Sequence, residues 1–205
     1  MVNSLKDILE KYRETLQPLM NDKKFFEVYK FFNHEFTFPI NANIVSDFTE
    51  SLYAAGVDPL TYTNRIPAHF LYDSTIDSFD VPLHIEYIGK KAFSGSDIKT
   101  ITFNKNSVLE NIHDDAFAYC HELEEIELPQ EVLIIGDYAF KDCSKLRKIF
   151  IPKEVGTISL NAFTGCRNLT IYSDDVNSKS MLWDELTSRG FKVIIRSSRE
   201  DYRKA

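Results

Sequence analysis

Hydrophobic residues along the chain keep a long period. Phe70, Phe93, Phe117, Phe140 and Phe163 follow one another at intervals of 23, 24, 23 and 23 residues. Around four of them the local text nearly repeats: Ile88-Gly89-Lys90-Lys91-Ala92-Phe93, Ile112-His113-Asp114-Asp115-Ala116-Phe117, Ile135-Gly136-Asp137-Tyr138-Ala139-Phe140 and Ile158-Ser159-Leu160-Asn161-Ala162-Phe163. A fixed period of this length predicts a stack of similar units, each burying its apolar face against the next. The first copy, Ile66 to Pro82, is degenerate, as a terminal unit that packs against something else can be.

After each Phe comes a second apolar set: Ile76, Phe79 and Val81, then Ile98, Ile101 and Phe103, then Leu123, Ile126 and Leu128, then Leu146, Ile149 and Ile151. The last two of each set alternate with polar residues, which predicts a short strand. Pro82, Pro129 and Pro152 end three of these strands. Each unit therefore reads as a turn with Ala-Phe inward, a small residue, and a strand.

The pattern Ile-Gly-x-x-Ala-Phe, a small residue or Cys, then Leu-x-x-Ile-x-Ile-Pro resembles the BspA-like class of leucine-rich repeats over about residues 64–175. That resemblance implies an α/β-type solenoid: a right-handed leucine-rich-repeat array with one parallel sheet. The class occurs in bacterial surface adhesins, protozoan proteins and some phage-encoded proteins, usually without catalysis.

The ends read differently. In residues 1–63, Leu5, Ile8, Leu9, Tyr12, Leu16 and Leu19 recur at helical spacing behind Ser4. An aromatic second helix carries Phe25, Phe26, Tyr29 and Phe32, and a third ends at Gly56. This helical N-terminal subdomain would cover the first rung or offer a partner groove. In residues 176–205, Ser178 to Arg189 predicts a helix with Leu182, Trp183 and Leu186, stopped by Gly190, and Phe191 to Ile195 a strand. Arg196, Arg199, Arg203 and Lys204 then form a basic tail expected to be mobile.

Charge narrows the partners. The formal net charge is −7, and basic residues outnumber acidic ones only after residue 175. An acidic repeat body argues against a phosphate backbone as main ligand. Lys6, Asp7, Glu10 and Lys11 stand where a signal peptide would be apolar, and no stretch of 18 uncharged apolar residues follows, so the expectation is a cytoplasmic protein without membrane contact.

Candidate chemistry changes this picture little. Cys120, Cys143 and Cys166 each lie three residues after the repeat Phe, with Ser96 and Asp73 at the matching places. They predict a column of reduced, inward-facing thiols, because no His joins the column to complete a metal site. The acidic run Glu122, Glu124, Glu125 and Glu127 faces Lys145, Arg147 and Lys148 one unit later, and Lys99 one unit earlier. A cross-rung charge ladder accounts for it better than a calcium site. His34, His69, His84, His113 and His121 show no metal or catalytic spacing, and no phosphate loop or nucleophile motif occurs, so no cofactor is expected.

The expected function is a non-catalytic protein–protein interaction scaffold, a mobile-element or phage-encoded binder of a host protein; the alternative is a self-associating structural component. Two outward columns mark the candidate face: Ser78, Thr100, Glu125, Lys148 and Thr170, and beside them Asp80, Thr102, Glu127, Phe150 and Tyr172. Phe150, Tyr172, Lys148, Glu127 and Glu125 are the candidate partner-binding residues. Phe150 and Tyr172 would be exposed aromatic anchors, or else the seat of the C-terminal helix.

Overall fold

A computed structural model describes Leu60 and residues 64–175, 180–195 and 197–205. The three N-terminal helices expected above lie outside the described residues. Strands alternate between two walls. One wall is a five-stranded parallel sheet of two-residue strands: β1 Arg65–Ile66, β3 Tyr87–Ile88, β5 Asn111–Ile112, β7 Ile134–Ile135 and β9 Thr157–Ile158. The other holds β2 Ser78–Val81 paired with β4 Thr100–Phe103, then β6 Glu125–Glu127, β8 Lys148–Ile151, β10 Thr170–Ser173 and β11 Lys192–Ile194 in a second parallel sheet.

The single sheet implied by the resemblance is thus corrected to strands on both walls. The physical reason is the backbone at the Ile-Gly step. Gly89, His113, Gly136 and Ser159 each donate an N–H to the carbonyl of Ile66, Ile88, Ile112 and Ile135 on the preceding rung, at 2.8–3.0 Å. What reads as the start of a turn is therefore laddered.

The Ala-Phe turn is laddered too. Phe93, Phe117 and Phe140 donate to the carbonyls of Ala116, Ala139 and Ala162, each at 2.8 Å. Two residues after each Phe, the Gly95, Tyr119 and Asp142 amides donate to Ala118, Lys141 and Thr164 at 2.7–2.8 Å. Pointing these amides at the next rung requires left-handed backbone: φ is 56° at Lys91, 55° at Asp115, 62° at Tyr119 and 53° at Asp142. Glycine takes the same corner at Gly95 and Gly165 without a Cβ penalty.

Inside, the repeat phenylalanines form one column. Phe93–Phe117, Phe117–Phe140 and Phe140–Phe163 stack with centroids 5.1, 5.3 and 5.7 Å apart and ring planes within 16°. At the two ends the geometry turns edge-on, Phe70 against Phe93 and Phe191 against Phe163. Phe191 belongs to the cap, where helix α1 Ser180–Ser188 buries Leu186 fully and Trp183 nearly so. After α1 the chain enters β11, which pairs with β10.

The thiol column also forms. Cys120, Cys143 and Cys166 are buried and unpaired, and each Sγ donates to the carbonyl of the Phe one rung earlier, Phe93, Phe117 and Phe140, at 3.0–3.1 Å. Burial and the flanking thiols push Cys143 well above the usual thiol range. Such thiols should resist a thiol reagent in the native protein and react together only on unfolding. Cys143→Ser should cost no more than about 1 kcal/mol in urea unfolding, because a hydroxyl finds the same Phe117 carbonyl. Rapid labelling of two thiols in the folded state, or a loss above about 3 kcal/mol, would contradict this register.

Candidate protein-interaction face

The candidate face is the outer surface of the even-numbered strands. Register places Glu125 beside Lys148 and Lys148 beside Thr170, and Glu127 beside Phe150 and Phe150 beside Tyr172, as the overlay of repeats predicts. The charge ladder is real: Lys145 reaches Glu122 at 2.7 Å, Arg147 reaches Glu124 at 3.0 Å and Lys148 reaches Glu125 at 2.9 Å. Lys99 pairs with Asp77 on the preceding rung. The exposed pairs, Lys145–Glu122 and Arg147–Glu124, contribute only a few tenths of a kcal/mol each, so they set register more than stability.

Exposure is where expectation and structure part. Phe150 is fully buried, and Tyr172 is half-buried. The basic tail, expected to be mobile, is helix α2 Arg199–Lys204 lying on this face. Ser198 starts it with a capping box: its side chain accepts from the Asp201 N–H while the Asp201 carboxylate accepts from the Ser198 N–H. Tyr202, itself buried, meets Phe150 and Tyr172 edge-on at 5.7 and 5.5 Å. Lys148 Nζ lies 4.8 Å from the Tyr202 ring and donates to the Tyr202 carbonyl.

Glu127 is the second anchor. Arg203 donates to both of its carboxylate oxygens at 2.8 Å, and Arg199 donates to one of them at 2.8 Å. The Arg199 guanidinium also lies 4.6 Å over the Phe150 ring. All five candidate residues therefore converge, but four of them do so around the chain's own C-terminal helix, with Glu125 holding Lys148 in place at the rim. Sequence reasoning missed Tyr202, Arg199 and Arg203 as parts of this face. The available signal was Ser198-x-x-Asp201, a helix start that the reading as a tail overlooked.

Burial and the carboxylates of Glu125 and Glu127 push the Tyr202 phenol upward. Among the described residues, no group of three or more His, Cys, Asp or Glu converges to hold a metal ion, and no helix is long and apolar enough to cross a membrane.

A family model for the BspA type leucine rich repeat region matches residues 64–179 in six copies. The chain belongs to the BspA-type leucine-rich repeat family. Its array is similar to a crystallised leucine rich repeat protein of T. pallidum, with 25% identity and a TM-score of 0.50 over 53% of this chain and 51% of that one. It is also similar to a leucine rich cell surface protein of Faecalibacterium prausnitzii, with 23% identity and a TM-score of 0.49 over 69% and 32%. The pneumococcal vaccine antigen PcpA shows 33% identity and a TM-score of 0.43 over 51% and 32%. The chain thus spans about half the length of the T. pallidum protein and about a third of the other two. No curated protein matches closely enough to count as a relative.

The seated helix of this BspA-type array carries a pH dependence. Burial raises the Glu127 carboxyl, but hydrogen bonds and charge from Arg203 and Arg199 outweigh it and hold the group below the usual glutamate range. A lowered folded value means the stabilisation is complete above the unfolded value, about 4.3, and disappears as pH falls through the folded one. Protection of the α2 amides, as measured exchange relative to the intrinsic rate at each pH, should therefore be high from about pH 5 upward and fall below about pH 4. Glu127→Gln should remove that acid transition; equal protection of the α2 amides at both pH values in the parent would contradict the clamp.

Proposed function

We propose that the protein is a non-catalytic scaffold for protein–protein interaction, acting through the even-strand wall together with the C-terminal helix seated on it. The observation that carries this reading is the rung-on-rung strand pairing of that wall. Laddered rungs hold charged and aromatic side chains in fixed columns, a preorganised surface that loses little entropy on binding. Leucine-rich repeats of this family generally mediate protein interactions and are typically non-enzymatic.

Within the proposal, Phe150, Tyr172, Lys148 and Glu127 act by seating α2, while Glu125, half-exposed at the rim, and the uncovered Thr100 and Thr102 are open to a partner. A cytoplasmic setting is part of the reading, supported by three unpaired thiols that remain reduced there. Placement in a phage or other mobile element, with a host protein as partner, is part of the reading and rests on the resemblance of the repeats to a class that includes phage-encoded proteins.

The test is capture with the full chain from a lysate of the organism that encodes it. One protein should be retained, by a bait that sediments as a monomer. Replacing Thr102 with Glu should weaken its binding about tenfold or more, with thermal unfolding lowered by a few °C at most. Retention of nothing would contradict the scaffold reading, and a captured partner indifferent to Thr102→Glu and Glu125→Lys would exclude the even-strand wall as the binding surface.

A further inference from the structure

After the degenerate first copy one rung departs from the others in loop length, and that irregularity borders the uncovered part of the wall. Between the last inward strand residue and the next inward apolar one lie three residues in most rungs: Val81 to Ile85, Leu128 to Val132 and Ile151 to Val155. Phe103 to Leu109 holds five, and Asn104 stands where Pro82, Pro129 and Pro152 stand in those three rungs. The enlarged loop is internally bonded: Ser107 donates its N–H to the Asn104 carbonyl at 2.9 Å, Asn106 donates to Asn104 Oδ1 at 3.0 Å and Leu109 donates to Ser107 Oγ at 3.3 Å. At the same place the wall divides, for β2 pairs with β4 and β6 with β8, while β4 and β6 belong to separate sheets.

The enlarged loop and α2 form the two sides of a groove of about 430 Å³ over this division. Lys105 comes from the loop and Arg199 and Arg203 from the helix, against one carboxylate, Glu127. Three cations to one anion is a local excess on a chain whose net charge is −7. Glu127 bridges the two guanidinium groups and fixes them, yet Arg203 keeps Nη1 beyond its two bonds to Glu127, and its side chain is 65% exposed. Lys105 is exposed, with no ion pair among the described residues. Phe103 and Pro129 add apolar lining.

We propose that this groove binds an extended acidic peptide segment of a protein partner, with carboxylates taken by Lys105 and the outer edge of Arg203 and a side chain resting on Phe103 and Pro129. The inference rests on the scaffold reading and names its site and partner class. A carboxylate suits the exposed edge of a guanidinium, which binds it in a planar fork. A nucleic-acid backbone fits less well, because Glu127 within the groove and the acidic body around it repel a continuous run of phosphates.

The test measures fluorescence anisotropy of a labelled oligoglutamate peptide with the full chain. Saturable binding is expected, weakening as salt rises. Lys105→Glu should reduce the affinity about tenfold or more without changing thermal unfolding, since Lys105 holds no other residue in place. Lys90→Glu, the same charge change on the turn after β3, should leave it within about twofold. Absence of saturable binding, equal loss in the two variants, or tighter binding of a single-stranded oligonucleotide than of the peptide would overturn the proposal. If the captured partner binds Lys105→Glu with unchanged affinity, the groove is excluded and the scaffold stands. If no partner is captured although the peptide binds as described, the scaffold reading fails instead.

Discussion

Stacking of one phenylalanine per rung is the contact on which the rest of the molecule depends. Phe93, Phe117, Phe140 and Phe163 are fully buried with near-parallel rings. Their 5–6 Å centroid spacing slightly exceeds the separation of hydrogen-bonded strands. Rings and backbones can therefore repeat along one axis together. The left-handed residues flanking each Ala-Phe aim amides along that axis, and the thiols three residues on bond back to the Phe carbonyls. A rung lacking its ring would leave a void touching both neighbours, and interiors of this density collapse only in part around such voids.

Because each rung touches mainly its neighbours, such an array has exposed ends and uniform faces, and both matter here. Phe191 and α1 close the C-terminal end of the ring column. The chain then returns across the wall as α2, so the aromatic strip of Phe150 and Tyr172 is covered from within by Tyr202. The covered half holds Phe150 and Tyr172 together with Lys148 and Glu127, all engaged by α2. The half left open is polar and contains the rung with the enlarged loop. A binding function on this wall is thereby shifted from the aromatic strip to the margin between the helix and that loop.

Period and inward residues were legible because burial on a repeating backbone forces the same residue type into the same place: five phenylalanines and three cysteines fell on their columns. The second wall was not legible, since a strand of two residues such as Tyr87–Ile88 is too short to show alternation. Helix α2 was hidden for a related reason. With Tyr202 as its one buried residue among Arg, Glu, Asp and Lys, it has no apolar periodicity, and only its capping box marks it. The outward columns were placed correctly, but an aromatic strip awaiting a partner and one seating the chain's own terminus have the same sequence. Distinguishing them requires knowing where residues some 50 positions later return, as Lys148 and Tyr202 do.

The ring column can be tested by a double-mutant cycle. Phe117→Leu and Phe140→Leu, separately and together, should show a coupling energy of about 0.5–1.5 kcal/mol in urea unfolding, the range for adjacent aromatic pairs. The same cycle for Phe93 and Phe163, two rungs removed from contact, should add within about 0.5 kcal/mol. Equal coupling in both pairs, or none in the first, would contradict a fold held together rung against rung by these rings.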